Sequence, residues 1–288
     1  MTTAVIGATG RVGSEIVRGV LARGDAVTAL VRDPGKARRA FGEPSELHIR
    51  STRLDDPRDL AEALAGIRTV FIAMGSTGIE GVLQRIAINA AAGIGSIEQV
   101  TRLSVLNTSA DSRGINQRAH YSIDQFAAST AVPYSTIRPA IFSASLLAAA
   151  TEVRTSRSWT GLADSGRMAL IDHRDVAKAG LRVLADPALW GAHHDLTGPA
   201  LMSWPEALEL LSAELGEPVT FRVVGERQFL ERLTGAGVPA GTAELLITRE
   251  WAILAGENDY TTGTFQQITG RDPRPVAEFL HDYRAEFA

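Results

Sequence analysis

Short apolar runs alternate with helical patterns along the first half of the chain. Five runs predict strands, and a weaker sixth is expected at Leu47–Ile49. Buried strands that alternate with helices predict an α/β fold with a doubly wound parallel sheet. The five strands are expected at Ala4–Ile6, Val27–Val31, Val70–Ala73, Gln99–Val105 and Tyr134–Arg138. The third helical pattern has an apolar face made of Val82, Leu83, Ile86, Ala87 and Ala90.

The pattern changes after about residue 145. Ser203 followed by Pro205 is a typical helix start, because serine caps a helix and proline fits its first turn. We therefore expect two units: residues 1–150 with the parallel sheet, and residues 151–288 as a smaller C-terminal α/β lobe on the substrate side. The other elements expected there are a loop at 151–167, a strand at Met168–Ile171, a helix at Asp175–Ala185, a strand into Leu196 and a strand at Val219–Val224.

Composition narrows the class of protein. The 288 residues are 45% hydrophobic with a formal net charge of −4, which supplies a substantial core and lacks the basic excess of nucleic-acid-binding proteins. The sequence has no cysteine, its six histidines have no metal-ligand spacing, and no apolar run reaches the ~18 residues of a membrane helix. A secretory signal pattern is also missing. We expect a cytoplasmic monomer or homodimer that acts on a small molecule, without metal, nucleic-acid or membrane partners.

A glycine-rich turn, Gly7-Ala8-Thr9-Gly10-Arg11-Val12-Gly13, follows the first predicted strand and opens the first helix. Gly7 allows the tight turn, Gly10 lets the backbone approach a pyrophosphate, and Gly13 lets the helix pack close to the strand. The helix start adds free N–H groups and a partial positive charge. The turn therefore predicts a dinucleotide-binding site. The alternative is an ordinary glycine-rich connection between a strand and a helix.

Basic residues gather at the end of the second predicted strand. Arg32 stands where NAD-binding sites usually carry Asp or Glu for the ribose hydroxyls. A guanidinium there suits a 2′-phosphate, and Lys36 and Arg11 are placed to join it. This interpretation predicts NADP(H) as the cofactor. The alternative is a solvent-exposed basic helix start, in which Asp33 and Pro34 form the turn.

Seven blocks in order give the chain a resemblance to the NmrA-like group of atypical short-chain dehydrogenases/reductases, over nearly its whole length. The resemblance implies a Rossmann fold that holds NADP(H) or NAD(H) in its cleft. The blocks are GATGRVG (7–13), VRDPGKA (31–37), LDDPRDLAEALAG (54–66), VTRLSV (100–105), VPYSTIRPAIF (132–142), DHRDVA (172–177) and DLTGP (195–199).

The resemblance also implies roles for particular residues. By position, the pyrophosphate would lie against Gly7, Thr9, Gly10, Arg11 and Val12. Arg32 and Lys36 would select NADPH, and the cofactor's middle would be lined by Ala73, Met74 and Gly75. The nicotinamide would be approached by Pro139, Ala140 and Phe142. One block departs from the family: Thr52-Arg53 stands where a Gly-Asp pair often contacts adenine, and Arg53 would instead join the 2′-phosphate pocket. Asp55 is expected to cap the helix after Pro57.

The helix that usually carries catalysis lacks its lysine. Short-chain dehydrogenases use Tyr-x-x-x-Lys, but Tyr121 is followed four residues later by Gln125, while His120 and Asp124 match the His-x-x-x-acid pattern of the atypical group. Three interpretations of Tyr121 and His120 stay open. Tyr121 or His120 donates a proton, or one of them only orients substrate and cofactor, or both are packing or surface residues. Ser104, after the fifth strand, is a supporting candidate.

Two functions are consistent with these features. The first is an NADPH-dependent reductase that transfers hydride to a small, fairly apolar acceptor such as a quinone, enone, imine or carbonyl. Its pocket would be walled by the loop at 107–118 and by segment 143–165. The second is a regulatory protein that senses NADP(H) without turnover.

Overall fold

The computed structural model describes residues 2–288, and its centre is a parallel sheet. The strands are β1 (Thr2–Ile6), β2 (Ala26–Val31), β3 (Leu47–Ser51), β4 (Thr69–Ile72), β5 (Gln99–Leu103), β6 (Tyr134–Pro139), β7 (Ser158–Gly161), β8 (His193–Leu196) and β9 (Thr220–Val223). Seven of them pair in the order β3-β2-β1-β4-β5-β6-β8, all in parallel. The order reverses between β1 and β4, which opens a crevice at their carboxyl ends. All six strands predicted in the first half are present, and the α/β fold class is confirmed.

Helices cover both faces of the sheet. They are α1 (Arg11–Leu21), α2 (Pro34–Phe41), α3 (Pro57–Leu64), α4 (Gly78–Ala92), α5 (Ile115–Ala128), α6 (Ala150–Ser156), α7 (His173–Ala185), α8 (Trp204–Leu215), α9 (Glu226–Gly235), α10 (Ala240–Leu254), α11 (Thr264–Thr269), α12 (Val276–Asp282) and α13 (Arg284–Phe287), with 3₁₀ turns at Ser143–Ala149 and Pro187–Leu189. One apolar core joins α1 and α7 to the sheet, and another joins α3, α4 and α5 to its opposite face. This arrangement is the doubly wound architecture.

A third core lies in the C-terminal part of the chain. Trp159 and Trp204 meet edge to face with ring centroids 5.0 Å apart, and Phe279 is buried in the same cluster. The capping box that Ser203 and Glu206 form at the start of α8 confirms the predicted helix start. The small parallel sheet of β7 and β9 completes this part.

The main sheet also takes elements from beyond residue 150. Strand β8 pairs with β6, and α7 packs against α1 through the same core. The predicted helix at Asp175–Ala185 is confirmed and begins two residues earlier, because the Asp172 carboxylate caps it by accepting from the Arg174 N–H. The division into residues 1–150 and 151–288 stays a prediction. Within residues 2–288, no helix has the length and apolar character that crossing a membrane requires.

Three predictions of local structure are wrong, wholly or in part. The loop predicted at 151–167 is present only at residues 162–167, because the residues before it form α6 and β7, where Glu152 accepts from the N–H of Thr160 at 2.8 Å and pairs with Arg232. The predicted strand Met168–Ile171 forms only isolated bridges. Its residues are fully buried and pack into the first and third apolar cores instead of pairing along a sheet. In α4 the exposed face carries Val82, whereas the buried face carries the polar residue Gln84.

Candidate functional site

A groove of about 630 Å³ follows the crevice between β1 and β4. Its walls come from four places: the glycine turn, the end of β2, the connection after β4 and the first turns of α4. The lining residues include Gly7, Ala8, Thr9, Gly10, Leu30, Val31, Arg32, Lys36, Thr52, Leu54, Ala73, Met74, Gly75, Thr77, Gly78, Ile79, Glu80 and Leu83.

The glycine turn is packed against its surroundings without room for side chains. A Cβ atom at Gly7 would lie 2.1 Å from the Ala73 carbonyl oxygen, and one at Gly13 would lie 2.2 Å from the Gly7 carbonyl oxygen. Gly10 caps α1 without a side-chain hydrogen bond, and the first turn of α1 has no acidic residue. The helix therefore presents N–H groups and positive partial charge beside the groove, where they suit an anion.

The predicted residues of the turn do not all reach the groove. Gly7, Thr9 and Gly10 line it. Val12 is buried in the core beneath, and Gly13 is buried against the turn itself. Arg11 is exposed at the start of α1 and lies outside the lining. A contribution from these last residues would come through the backbone N–H groups of the helix start.

Two cations stand at the far end of the groove. Arg32 and Lys36 are exposed, and neither has an acidic group within 4.0 Å among residues 2–288. The neighbouring Arg38, in contrast, pairs with Glu43 at 2.9 Å. Asp33 accepts from the backbone N–H of Lys36 at 3.1 Å, so the Asp33-Pro34 turn is real. The turn uses none of the cationic charge of Arg32 or Lys36, which both remain available to an anion.

A second cavity of about 350 Å³ continues the groove past Arg32. Thr52 lines both cavities, is 5% exposed, and its Oγ1 atom has no hydrogen-bond partner in the described part of the chain. Leu54, Ile79 and Leu83 provide apolar walls that suit a flat ring. A buried hydroxyl without a partner is unusual in proteins, so this one marks a place for a polar ligand atom.

Arg53 and Asp55 also line the second cavity. The Arg53 guanidinium lies 3.5 Å from the Asp55 carboxylate, so it is less available to an anion than Arg32. The expected capping role of Asp55 is wrong. The neighbouring Asp56 caps α3 instead, accepting from the N–H of Arg58 at 3.0 Å, because it is the residue directly before Pro57.

The cavities together fit a dinucleotide that carries an additional phosphate. The glycine cradle leaves space that a Cβ would fill, the helix start suits a pyrophosphate, and the free cations Arg32 and Lys36 adjoin an apolar cavity with the unpartnered Thr52 hydroxyl. No group of three or more His, Asp or Glu residues within 2–288 is arranged to hold a metal ion.

A buried polar cluster lies behind the groove, between β5, β6 and α5. At its centre Arg102 is fully buried, and its Nη1 atom lies 2.6 Å from Nδ1 of His120. Its Nη2 atom donates to Asp124 and, at 2.9 Å, to the hydroxyl of Ser104. Its Nε atom donates to the Tyr134 hydroxyl at 2.6 Å. The cluster therefore contains two of the predicted catalytic residues, His120 and Ser104.

Asp124 balances the positive charge of this cluster. It accepts from the Tyr134 hydroxyl at 2.8 Å and from Arg138 at 3.1 Å, in addition to Arg102. Burial, together with the guanidinium groups of Arg102 and Arg138, holds the pKa of His120 well below its usual range. Burial also raises the pKa of the Tyr134 phenol. His120 is consequently neutral at physiological pH.

The cluster is connected to the wall of the groove. Gln84 accepts from Nη1 of Arg102 at 3.3 Å and donates to the carbonyl of Gly75, a groove residue. The next residue, Ser76, donates to Asn116 of α5 at 2.7 Å. These bonds hold the connection after β4 against α5, one turn before His120.

The remaining predicted residues lie apart from the groove or the cluster. Tyr121 is half-buried, and its hydroxyl makes no hydrogen bond to residues 2–288. Pro139 and Ala140 are buried at the carboxyl end of β6, and Phe142 is half-buried just beyond them. None of the three lines the groove, although the carboxyl end of β6 faces the same edge of the sheet.

The cluster contains four residues that were not predicted as site residues: Gln84, Arg102, Tyr134 and Arg138. Arg102 carried a usable signal, because a charged residue stands inside the predicted buried strand Gln99–Val105. A buried arginine requires buried partners. The pairing with Asp124 across 22 positions follows only from the fold.

A family model and known proteins match this chain over nearly its whole length, in sequence and in fold. The model of the NmrA-like family matches residues 1–272. The NAD(P)H azoreductase of Xenophilus azovorans is 29% identical over 98% of each chain. The structure of the NADPH-dependent quinone oxidoreductase QOR2 of Escherichia coli with NADPH superposes with a TM-score of 0.90 at 23% identity, covering 99% of this chain and 100% of that one. The structure of NmrA, a negative transcriptional regulator, with NADP gives 0.76 at 18% identity over 99% and 96%.

Proposed function

The chain belongs to the NmrA-like family, and on this premise we propose that it is an NADPH-dependent reductase of a small, electron-poor acceptor. The acceptor is a quinone, enone, imine or carbonyl on a fairly apolar molecule. The azoreductase relative adds azo compounds to the candidates, and the quinone oxidoreductase supports the quinones. Bound NADPH supplies the hydride, and the protein supplies orientation and a pocket that excludes water.

The observation that carries the cofactor proposal is the pair of free cations, Arg32 and Lys36, at the end of the groove. They bind the 2′-phosphate, with Arg53 beside them in the second cavity. The pyrophosphate lies over the glycine turn, in contact with Gly7, Thr9 and Gly10 and with the N–H groups of Arg11, Val12 and Gly13. The middle of the cofactor is lined by Ala73, Met74 and Gly75, and the nicotinamide end is approached by Pro139, Ala140 and Phe142.

The substrate binds where the sheet meets the C-terminal residues. Residues 151–288 act as the substrate-side lobe, and the loop at 107–118 walls the pocket together with segment 143–165. Glu257 supports this placement, because its carboxylate accepts from the backbone N–H of Arg113 at 2.9 Å and so ties the loop to that lobe. His120, Ser104 and Tyr121 are the candidates for contact with the substrate.

Titration and turnover assays test the two parts of the proposal separately. NADPH and NADH are titrated into the purified protein by calorimetry, and NADPH is expected to bind more tightly. The loss of NADPH absorbance is then followed with quinones, enones, imines, aldehydes and azo dyes. Oxidation with at least one class supports the reductase. Tight NADPH binding without oxidation by any of them contradicts it.

A second function, sensing of NADP(H) without turnover, is favoured by one observation. Gln125 occupies the position of the lysine that activates the tyrosine in typical short-chain dehydrogenases, and its side chain is exposed. The regulator NmrA has the same fold. The turnover assay separates the two functions. A cytoplasmic location, a monomeric or homodimeric state and the lack of a nucleic-acid partner stay predictions.

A further inference from the structure

From the cluster around Arg102 we infer that His120 is a neutral hydrogen-bond donor to the acceptor atom of the substrate, held in a single tautomer by Arg102. Arg102 is a positioning residue, and it provides the fixed positive charge that the missing lysine of the Tyr-x-x-x-Lys pattern would otherwise bring. The inference rests on the proposed reductase function and assigns the roles of two residues within it.

The tautomer follows from the chemistry of the contact. A guanidinium has five donors and no acceptor, so Nη1 of Arg102 donates to Nδ1 of His120 across 2.6 Å. Nδ1 must then offer a lone pair, and the single proton of the neutral ring lies on Nε2. Protonation of Nδ1 would set two donors against each other in a buried site.

The position of Arg102 is itself fixed. Its three nitrogens donate hydrogen bonds to five side chains, those of His120, Asp124, Ser104, Tyr134 and Gln84. The side chain has no exposed surface. A fully bonded, fully buried guanidinium has one arrangement, so the ring it contacts is held in one orientation.

The charged and titratable groups around His120 come from three elements. Arg102 lies on β5, Tyr134 and Arg138 lie on β6, and Asp124 follows His120 on α5. Asp195 on β8 lies near Arg138, yet at the ring itself the charges of Arg102 and Arg138 prevail. The same surroundings oppose a proton on Nδ1 and make the Nε2–H bond a stronger donor.

The free side of the ring keeps accessible surface at Nε2, although His120 lines neither cavity. Nε2 makes no hydrogen bond with residues 2–288, and it is not among the enclosed polar atoms that lack a partner. Asn116, one helical turn earlier, holds Ser76 directly after the groove residue Gly75. A substrate atom that reaches this surface can therefore accept from Nε2–H.

This role differs from proton transfer. Reduction of a quinone to a hydroquinone requires one hydride and one proton. A neutral imidazole that gave up its proton would become an imidazolate, so His120 keeps its proton and stabilises the negative charge that develops on the acceptor oxygen. The proton then comes from water.

The tautomer is tested on the free protein by NMR. The full chain is labelled with ¹⁵N-histidine, and His120→Asn assigns the His120 signals by their loss. We expect the Nε2–H tautomer alone, unchanged between about pH 8 and pH 5.5. In Arg102→Lys, a single ammonium cannot serve both Asp124 and His120, so signals of both tautomers are expected. A proton on Nδ1, or protonation of His120 within this pH range, overturns the inference.

The hydrogen bond is tested by two substitutions of the same residue. Asn at position 120 offers an acceptor near Nδ1 but no donor near Nε2, whereas Gln places an amide N–H near the Nε2 position. We expect His120→Asn to lower kcat for a quinone by about 10- to 100-fold without a change in the KM for NADPH. His120→Gln is expected to recover most of that loss. His48→Asn, on the exposed side of β3, is the matched control and should leave kcat unchanged.

The outcomes distinguish this inference from the proposed function. Wild-type kcat in His120→Asn overturns the role of His120 while the reductase function stands. A wild-type protein that oxidises no NADPH overturns the reductase function, and the spectra of the free protein then decide on the tautomer alone. The two His120 variants keep the test decisive if Arg102→Lys does not fold.

Discussion

The Cα atom of Gly7 packs directly against the carbonyl group of Ala73, since a methyl group on residue 7 would lie 2.1 Å from that oxygen. Gly7 also has a φ of +80°. Gly7→Ala therefore combines backbone strain with a clash, and we expect it to lower the free energy of unfolding by about 2 to 4 kcal/mol, measured by urea denaturation.

Gly24→Ala is the matched control for that experiment. Gly24 has a φ of +72°, but among residues 2–288, its own chain neighbours aside, no atom lies within 4 Å of an added Cβ. The substitution should cost only the backbone strain of about 1 to 2 kcal/mol. Equal losses for the two variants would show that the contact with Ala73 has no energetic weight.

Arg32→Ala should change the choice of cofactor. Loss of a charge-assisted hydrogen bond to a 2′-phosphate is expected to weaken NADPH binding about 10- to 100-fold and leave NADH binding nearly unchanged. Calorimetry on both cofactors measures this. Arg38→Ala, which removes a cation already paired with Glu43, is the control. A similar loss for NADH and NADPH would contradict the assignment of Arg32.

Thr52→Val tests the unpartnered hydroxyl in the second cavity. Because Oγ1 has no partner in the described chain, the free protein should be as stable as wild type or slightly more stable. The affinity for NADPH should fall about 3- to 10-fold, since the cofactor loses one hydrogen bond. Thermal melting with and without NADPH measures both effects.

Thr101→Val controls for the loss of a buried hydroxyl elsewhere. Thr101 on β5 is fully buried, and its Oγ1 also has no hydrogen-bond partner within residues 2–288, but it lines neither cavity. Its substitution should leave the NADPH-induced rise in melting temperature unchanged. The Thr52 assignment fails if both variants lose the same part of that rise.

Stability should fall as the pH drops from 7 to about 5.5. The folded-state pKa of His120 is lowered, chiefly by burial, so at pH values below about 6.5 the unfolded chain binds a proton that the folded chain excludes. Burial lowers the pKa of His173, His193 and His194 in the same direction. Between pH 7 and about 5.5, the free energy of unfolding of His120→Gln should therefore fall by about 1 kcal/mol less than that of the wild type, measured by urea denaturation at each pH. Parallel pH curves would contradict the depressed pKa.

The structural features that were predicted correctly from the sequence are those that depend on local periodicity and on the geometry of single residues. The strands through β6, the turn at Gly7 and the cap at Ser203 are all of this kind. The buried face of α4 could not be found this way, because Gln84 is buried by its bonds to Arg102 and Gly75, while Val82 faces outward. Hydrophobicity identifies a core face only where burial is driven by apolar contact.

The same distinction applies to the candidate site, whose groove could be predicted from local sequence and whose polar cluster could not. The groove could be predicted from the glycine turn and Arg32, because each lies next in sequence to the strand and helix that it connects. The cluster depends on Arg102, Asp124 and Tyr134, which meet only when β5, α5 and β6 are assembled. Contacts between distant residues leave no periodic signal in a single sequence.

The packing of α7 against α1 has a consequence for synthesis on the ribosome. The apolar side of α1, with Ile16 and Val17, packs against α7 in a core that also contains Val176 and Val183 of that helix. Those covering residues leave the exit tunnel long after the glycine turn has emerged. The nascent chain therefore carries an uncovered hydrophobic stripe through most of translation, a surface that holding chaperones bind.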